Sequence, residues 1–161
     1  MPRDGRRQWK IDLLLRHAVT GDLPVLQDLF RRSSLSNDDD RPILLRHPEA
    51  LRFTETALLR GRCRVAVTGG AMVVGFATTV AAGDRLELED LFVAPEWMRR
   101  GVGRALIDDA VAHAQASGID RIEVDGNPHA LEFYAAAGFV VDAEIRTELG
   151  TGYRLHLDVP T

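Results

Sequence analysis

The sequence predicts a mixed α/β fold, α+β by strict usage: a mostly antiparallel central sheet with one parallel pair, flanked by about four helices. Three observations carry that expectation. Alternating apolar runs at residues 62–68 and 72–80 flank Gly69-Gly70, the pattern of a β-hairpin. A strand, a long amphipathic helix and another strand follow one another across residues 85–124, which calls for a parallel crossover. A length of 161 residues, 45% hydrophobic and 27% charged, suits one domain with its own core and excludes a disordered or fibrous chain.

Residues 1–10 read as a loose polar tail and residues 11–161 as a single domain. Ile11 to Val19 is an apolar run and the first strand. Thr20-Gly21-Asp22 supplies a turn and a helix cap, Pro24 is tolerated in the first turn, and Val25, Leu26, Leu29 and Phe30 recur at helical spacing. Residues 33–42, SSLSNDDDRP, read as a polar loop and the most flexible stretch of the domain; Pro48 to Leu59 reads as a second helix ending at Gly61. Arg62 to Thr68 and Met72 to Val80 form the hairpin, and Gly83-Asp84 turns the chain into a strand from Arg85 to Val93. After Pro95 comes a glycine-containing loop, then a helix to about Ser117 with Val102, Leu106, Ala110 and Ala114 on one stripe. Gly118 stops it. Arg121 to Val124 is a strand and Pro128 to Ala137 a short helix capped by Gly138. Phe139 to Leu149 and Tyr153 to Val159 close the chain as a hairpin around Gly150-Thr151-Gly152.

Composition narrows the function. Twenty Lys+Arg against 24 Asp+Glu give a net charge of −4, so no global basic field invites nucleic acid. Cys63 is alone and cannot form an internal disulfide; it reads as a packing residue, and no Cys/His set has zinc spacing, so no metal is expected. No apolar run approaches the roughly 20 residues that span a bilayer. MPRDGRRQWK has no apolar stretch behind it, as a secretory signal needs. The expectation is a reduced, cytoplasmic protein without a membrane or nucleic-acid partner.

The chemistry concentrates in LFVAPEWMRRGVGRAL, residues 91–106. A strand leads through a loop with Arg99, Arg100, Gly101 and Gly103 into a helix N-terminus, where free N–H groups and the helix dipole suit a phosphate. Glycines let the backbone come close, and the arginines add charge. A pyrophosphate is the natural guest. A dinucleotide fingerprint fits poorly, because Leu106 stands where a third glycine belongs. The plain alternative is a tight strand-to-helix turn with exposed arginines.

At this point the sequence resembles the GNAT superfamily of acyl-CoA-dependent N-acyltransferases, over roughly residues 11–158 and most sharply from Leu86 to Phe139. The family's Q/R-x-x-G-x-G/A loop matches Met98-Arg99-Arg100-Gly101-Val102-Gly103, with Met98 where Gln or Arg is usual. A second landmark, Asn followed by a short helix ending in F-Y-x-x-x-G-F, matches Asn127 to Phe139. The resemblance implies a splayed parallel strand pair, at residues 85–93 and 121–125, that holds acetyl-CoA as co-substrate. It implies that backbone groups of Leu91, Phe92 and Val93 pair with the acyl-pantetheine arm. The N–H groups of Arg99 through Arg104, Arg99, Arg100, Gly101, Val102, Gly103 and Arg104, would hold the pyrophosphate. Asn127 would contact pantetheine, and Tyr134 would lie near the thioester sulfur. A homodimer is an expectation of the resemblance alone.

Acyl transfer to an amine sets its own demands. An alkyl ammonium with a pKa of about 10.4 must lose a proton, which costs roughly 4.6 kcal/mol at pH 7. A carboxylate base can share that cost. Glu87 and Glu89 are two apart, so a regular strand points both to one face with Leu91 and Val93, and Asp90 to the other unless a bulge intervenes. Glu87 or Glu89 is the candidate base, Glu123 a third candidate; pairing of these carboxylates with Arg85 or Arg121 is the structural alternative. Tyr134 can give a proton to the departing thiolate, and a backbone N–H near Phe92 can hold charge on the carbonyl oxygen. Direct attack in a ternary complex needs no covalent enzyme intermediate. The leading reading is an N-acetyltransferase acting on a small-molecule or peptide primary amine. The second is a non-catalytic acyl-CoA-binding or regulatory module of the same fold, and the third a nucleotide-binding domain. Acceptor choice falls to residues 33–47, where Asp38-Asp39-Asp40 reads as a solvated acidic run, and to the C-terminal hairpin.

Overall fold

A computed structural model describes residues 12–161, so the tail at 1–10, with Trp9, and Ile11 lie outside the described residues. The chain runs β1 (Leu13–His17), α1 (Leu23–Leu35), α2 (Arg41–Arg46), α3 (Thr56–Leu59), β2 (Cys63–Thr68), β3 (Val73–Ala82), β4 (Arg85–Val93), α4 (Val102–Ala116), β5 (Arg121–Gly126), α5 (Leu131–Ala136), β6 (Val140–Thr147) and β7 (Gly150–Asp158). Short 3-10 turns precede α1 and α5 and occupy Pro48–Leu51 and Pro95–Trp97.

The seven strands form one sheet in the order β1-β2-β3-β4-β5-β7-β6. Every neighbouring pair is antiparallel except β4–β5. That mixed, mostly antiparallel sheet with one parallel pair is the architecture the hairpins and the 85–124 crossover predict. Alternation along the strands sorts the apolar side chains onto two faces. Leu86, Leu88, Ile122, Val124 and Leu155 meet Val102, Leu106, Ile107 and Ala110 of α4, with Tyr134 and Phe139 beside them. Val65, Val67 and Phe76 meet Leu26 and Leu29 of α1 on the other face. There Phe30 and Phe92 lie 4.8 Å apart and Phe53 and Phe76 5.1 Å, both edge-on. Each fully buried Leu or Phe contributes about 1.5–3 kcal/mol, so these two layers fix the sheet's orientation.

Three local expectations are corrected. Residues 48–59 do not form one helix; a 3-10 turn at Pro48–Leu51 and the short α3 flank an irregular stretch. The break is stabilised from outside, because Gln27 donates to the Leu51 carbonyl at 2.8 Å and accepts from the Phe53 N–H at 2.9 Å while Phe53 is buried. The polar 33–42 stretch is not all loop: α1 continues to Leu35, and Arg41 opens α2, which buries Leu44. In the closing hairpin the turn falls at Thr147–Gly150, two residues before the predicted Gly150-Thr151-Gly152. Thr147 Oγ1 donates to the Gly150 carbonyl at 2.9 Å, and Gly152 lies inside β7 opposite Ile145.

Candidate active site

The parallel ladder between β4 and β5 is short. It pairs Leu86 with Ile122, Glu87 with Glu123 and Leu88 with Val124, and then stops. Beyond it β4 stays paired with β3 through Ala77–Leu91, Phe76–Phe92 and Gly75–Val93, while β5 stays paired with β7 through Asp125–Arg154 and Gly126–Tyr153. The two strands therefore part, and the facing edges of residues 89–93 and 125–126 carry backbone N–H and C=O groups without ladder partners. Such groups call for a hydrogen-bonding guest with the shape of a strand. Leu91, Phe92 and Val93 sit on this free edge.

The strand-to-helix loop lies at one end of the opening. Gly101, at φ 88°, precedes α4, and Arg99 is also left-handed at φ 62°. Only glycine takes Gly101's conformation without strain. The first intrahelical bond runs from the Ala105 N–H to the Gly101 carbonyl, which leaves the amides of Val102, Gly103 and Arg104 at the positive end of the helix dipole. Met98, Arg99 and Arg100 are exposed, and the Arg100 guanidinium stacks 5.0 Å above the Trp97 ring. The Arg104 side chain turns the other way and donates to the Ala136 carbonyl at the end of α5. Gly103 has a packing reason: a Cβ there would stand 2.9 Å from the Phe133 ring.

Tyr134 and Asn127 border the slot. Asn127 ends β5's continuation and caps the next turn, its Oδ1 accepting from the Ala130 N–H at 3.0 Å. The Tyr134 ring is buried between Phe133 and Phe139 and lies over Gly126, where a Cβ would come 3.3 Å from it. Burial, with the nearby charge of Asp90, pushes the Tyr134 phenol up, so it stays protonated. In the turn after Asn127, His129 Nε2 lies 3.7 Å from Asp39 Oδ2, which brings that acid next to the segment following β5. Cys63 is buried, its thiol pushed up to about 12 by burial, and serves packing.

The carboxylates are arranged differently from a regular strand. Thr78 pairs with Asp90 and Thr79 with Leu88, so Glu89 is an extra residue, a bulge in β4. The bulge reverses the alternation. Leu86 and Leu88 face α4, and so do Leu91 and Val93, whereas Phe92 faces α1. Glu87 and Glu89 thus do not share a face with Leu91 and Val93, which corrects the alternation argument, and Asp90 joins Glu87 on the face opposite α4. Glu87 is claimed by two arginines: Arg154 of β7 and Arg85, the latter at 2.9 Å. Burial raises Glu87, but those bonds outweigh it and hold its carboxyl below the usual range. Arg154 also binds Glu123 and Asp125, while Arg85 and Arg121 reach Glu123 at 3.0 and 3.1 Å. Glu89 projects outward onto Arg62 at 2.6 Å. Asp90 is half-buried and accepts from the fully buried Thr78 hydroxyl at 2.6 Å. Burial lifts its carboxyl above the usual range against the pull of Thr78. Asp90 and Arg154 are the residues that strand alternation alone passes over: a bulge decides the first and a long-range strand pairing the second.

Residues 25–139 match the family model described as the acetyltransferase (GNAT) family. The chain belongs to the GNAT family of acetyltransferases. Among relatives it is 33% identical over 85 residues to a mycothiol acetyltransferase of Thermobifida fusca, a match over 51% of this chain that spans only 26% of that longer protein. It is 27% identical over 111 residues to an uncharacterized N-acetyltransferase, YvbK, of Bacillus subtilis, covering 67% of this chain and 72% of the other. Its fold matches the PaiA N-acetyltransferase of Thermoplasma acidophilum, solved with coenzyme A, at a TM-score of 0.74 and 17% identity over 91% of this chain and 98% of that one. Its mixed seven-stranded sheet with one parallel pair is the GNAT fold. Among the described residues, no helix is long and apolar enough to cross a membrane.

Proposed function

We propose that this chain transfers an acetyl group from acetyl-CoA to a primary amine by direct attack within a ternary complex. The single observation that carries the reading is the slot between β4 and β5, with two free backbone edges and a helix N-terminus at its end. The pantetheine arm would pair with the edge of Leu91, Phe92 and Val93, and Asn127 would meet it from β5's side. The pyrophosphate would rest on the amides between Arg99 and Arg104, with Met98 and the guanidinium groups of Arg99 and Arg100 at its exposed flank. The coenzyme solved with the Thermoplasma protein supports this donor.

In the reaction the amine nitrogen bonds to the thioester carbonyl carbon as the carbon–sulfur bond breaks. Tyr134 is the proton donor to the departing sulfur; its buried, protonated phenol suits that task. A backbone N–H near Phe92 steadies the charge on the carbonyl oxygen. One of the β4 carboxylates, Glu87, Glu89 or Asp90, takes the amine's proton. The acceptor reaches the slot past the rim formed by Asp38–Asp40 and the β6–β7 hairpin, a setting that suits a cationic amine or peptide. Acetyl-CoA-dependent CoA release, followed with a thiol reagent and a panel of spermidine, lysine amide and an alanyl peptide, tests the reading. Amine-dependent release is the expected result. Tight acetyl-CoA binding with no release on any amine would favour a binding module instead.

A further inference from the structure

We propose that Asp90, rather than Glu87 or Glu89, is the base that takes the proton from the attacking amine. The proposal rests on the acetyl-transfer reading and goes past it by choosing among the carboxylates. The slot connects the two faces of the sheet. The pyrophosphate loop, α4 and Tyr134 belong to one face, so the coenzyme and its departing sulfur are served from there. The amine must approach the carbonyl carbon from elsewhere, and a base must stand on that approach. Asp90 does: the bulge at Glu89 turns it to the α1 face, beside Phe92 and just where β4 leaves β5. Acid and base thus lie on opposite faces of the sheet, so the amine's proton and the departing sulfur are handled by separate groups.

The surroundings complete the case. Thr78 of β3 holds one carboxylate oxygen, Oδ2, and so orients the group without neutralising it. Cys63 of β2 pairs with Thr78 and remains a neutral thiol; Glu89 on the same strand opposes ionisation of Asp90, and Arg62 favours it weakly from the start of β2. Burial prevails, leaving a carboxylate more basic than a free one. Glu87 is spent on Arg154 and Arg85, and Glu89 on Arg62 at the surface. In the step, the N–C bond forms as the amine's proton passes to Asp90 and the C–S electron pair leaves on sulfur, which takes the Tyr134 proton. Solvent then reprotonates Tyr134 and accepts the proton from Asp90.

The test is a pH profile of kcat/KM for CoA release from acetyl-CoA with the fastest amine of the panel above. Asp90→Asn is expected to lose about 100-fold or more in kcat, to lose the ascending acid limb, and to keep its acetyl-CoA affinity. Thr78→Val removes the bond that stabilises the carboxylate, so the limb should move to higher pH with activity retained above it. An Asp90→Asn protein that binds acetyl-CoA and retains the limb overturns the proposal. Where that variant does not hold acetyl-CoA, Thr78→Val decides, and an unmoved limb overturns it. A wild-type protein inactive on every amine instead overturns the acetyl-transfer reading itself, before any variant is made, and Asp90's role with it.

Discussion

Single atoms decide what the two loop glycines do. A sequence reading gives Gly101 and Gly103 one task, close approach of backbone to phosphate, yet their surroundings differ. Gly101 has a left-handed backbone and nothing within 4 Å of a would-be Cβ, whereas Gly103 is pressed against Phe133. Gly101→Ala should therefore cost about 1 kcal/mol of stability through its left-handed backbone and, by straining the loop, weaken acetyl-CoA binding. Gly103→Val should cost about 1–3 kcal/mol of stability by overpacking the α4–α5 contact. Thermal melts paired with acetyl-CoA titrations separate the two, and equal effects from both would contradict the division of roles. Tyr134→Phe should lower turnover while sparing acetyl-CoA affinity, since the ring packing against Phe133 and Phe139 survives. Turnover equal to wild type would remove the phenol from the chemistry. The loop and Tyr134 were legible because residue type and spacing mark them. Asp90 was not, because its face depends on whether β4 bulges, and that is settled by pairing with β3.

At the scale of elements, the opening of β4 from β5 has a fastening. Glu87 and Glu123 stand in register on neighbouring parallel strands, two carboxylates side by side one pair before the slot begins. Arg154 from β7 bonds both and also Asp125 at 2.9 Å. Glu87 and Glu123 are largely shielded and Asp125 is exposed; without Arg154 the two glutamates keep only Arg85 and Arg121, and their mutual repulsion is less fully offset. Arg154→Leu should cost about 1–3 kcal/mol near neutral pH. Protonating the carboxylates relieves the repulsion, so the deficit should shrink as pH falls through the carboxylate range. Adding Glu87→Gln should restore part of the loss at pH 7. Chemical denaturation at pH 7 and pH 4.5 measures this, and a pH-independent deficit would contradict it. The long strands and α4 were readable from periodicity alone, since each buries a stripe of its own. The stretch from 36 to 59 was not, because Gln27, 24 residues away from Leu51, supplies the hydrogen bonds that let it break into short turns.

For the molecule as a whole, one buried acid ties the entry of the chain to its first helix. Asp22 accepts from Arg16 at 2.8 and 3.0 Å and from the Val19 N–H at 2.8 Å. The Arg16 bond, against burial, holds its carboxyl below the usual range. A depressed folded value means that its stabilisation is full above the ordinary carboxylate pKa of about 3.9 and is lost as pH falls below it. Asp22→Asn should therefore be about 1.5–3 kcal/mol less stable at pH 7, with the gap to wild type closing as pH falls below the ordinary carboxylate value. A gap that persists at low pH would contradict the linkage. Element order was enough to read the architecture, because one crossover between hairpins gives one parallel pair, while the parting of that pair was implied only by the resemblance carried by the two landmark motifs. The acceptor was not readable, since the rim is built from short turns whose side chains are fixed only by the folded whole. The central claim, that the slot between β4 and β5 is an acetyl-CoA site, is tested most directly by calorimetric titration of the protein with acetyl-CoA, with NAD as the control. One-to-one micromolar binding of acetyl-CoA and none of NAD is predicted, and well-folded protein that binds neither, or binds both alike, would contradict it.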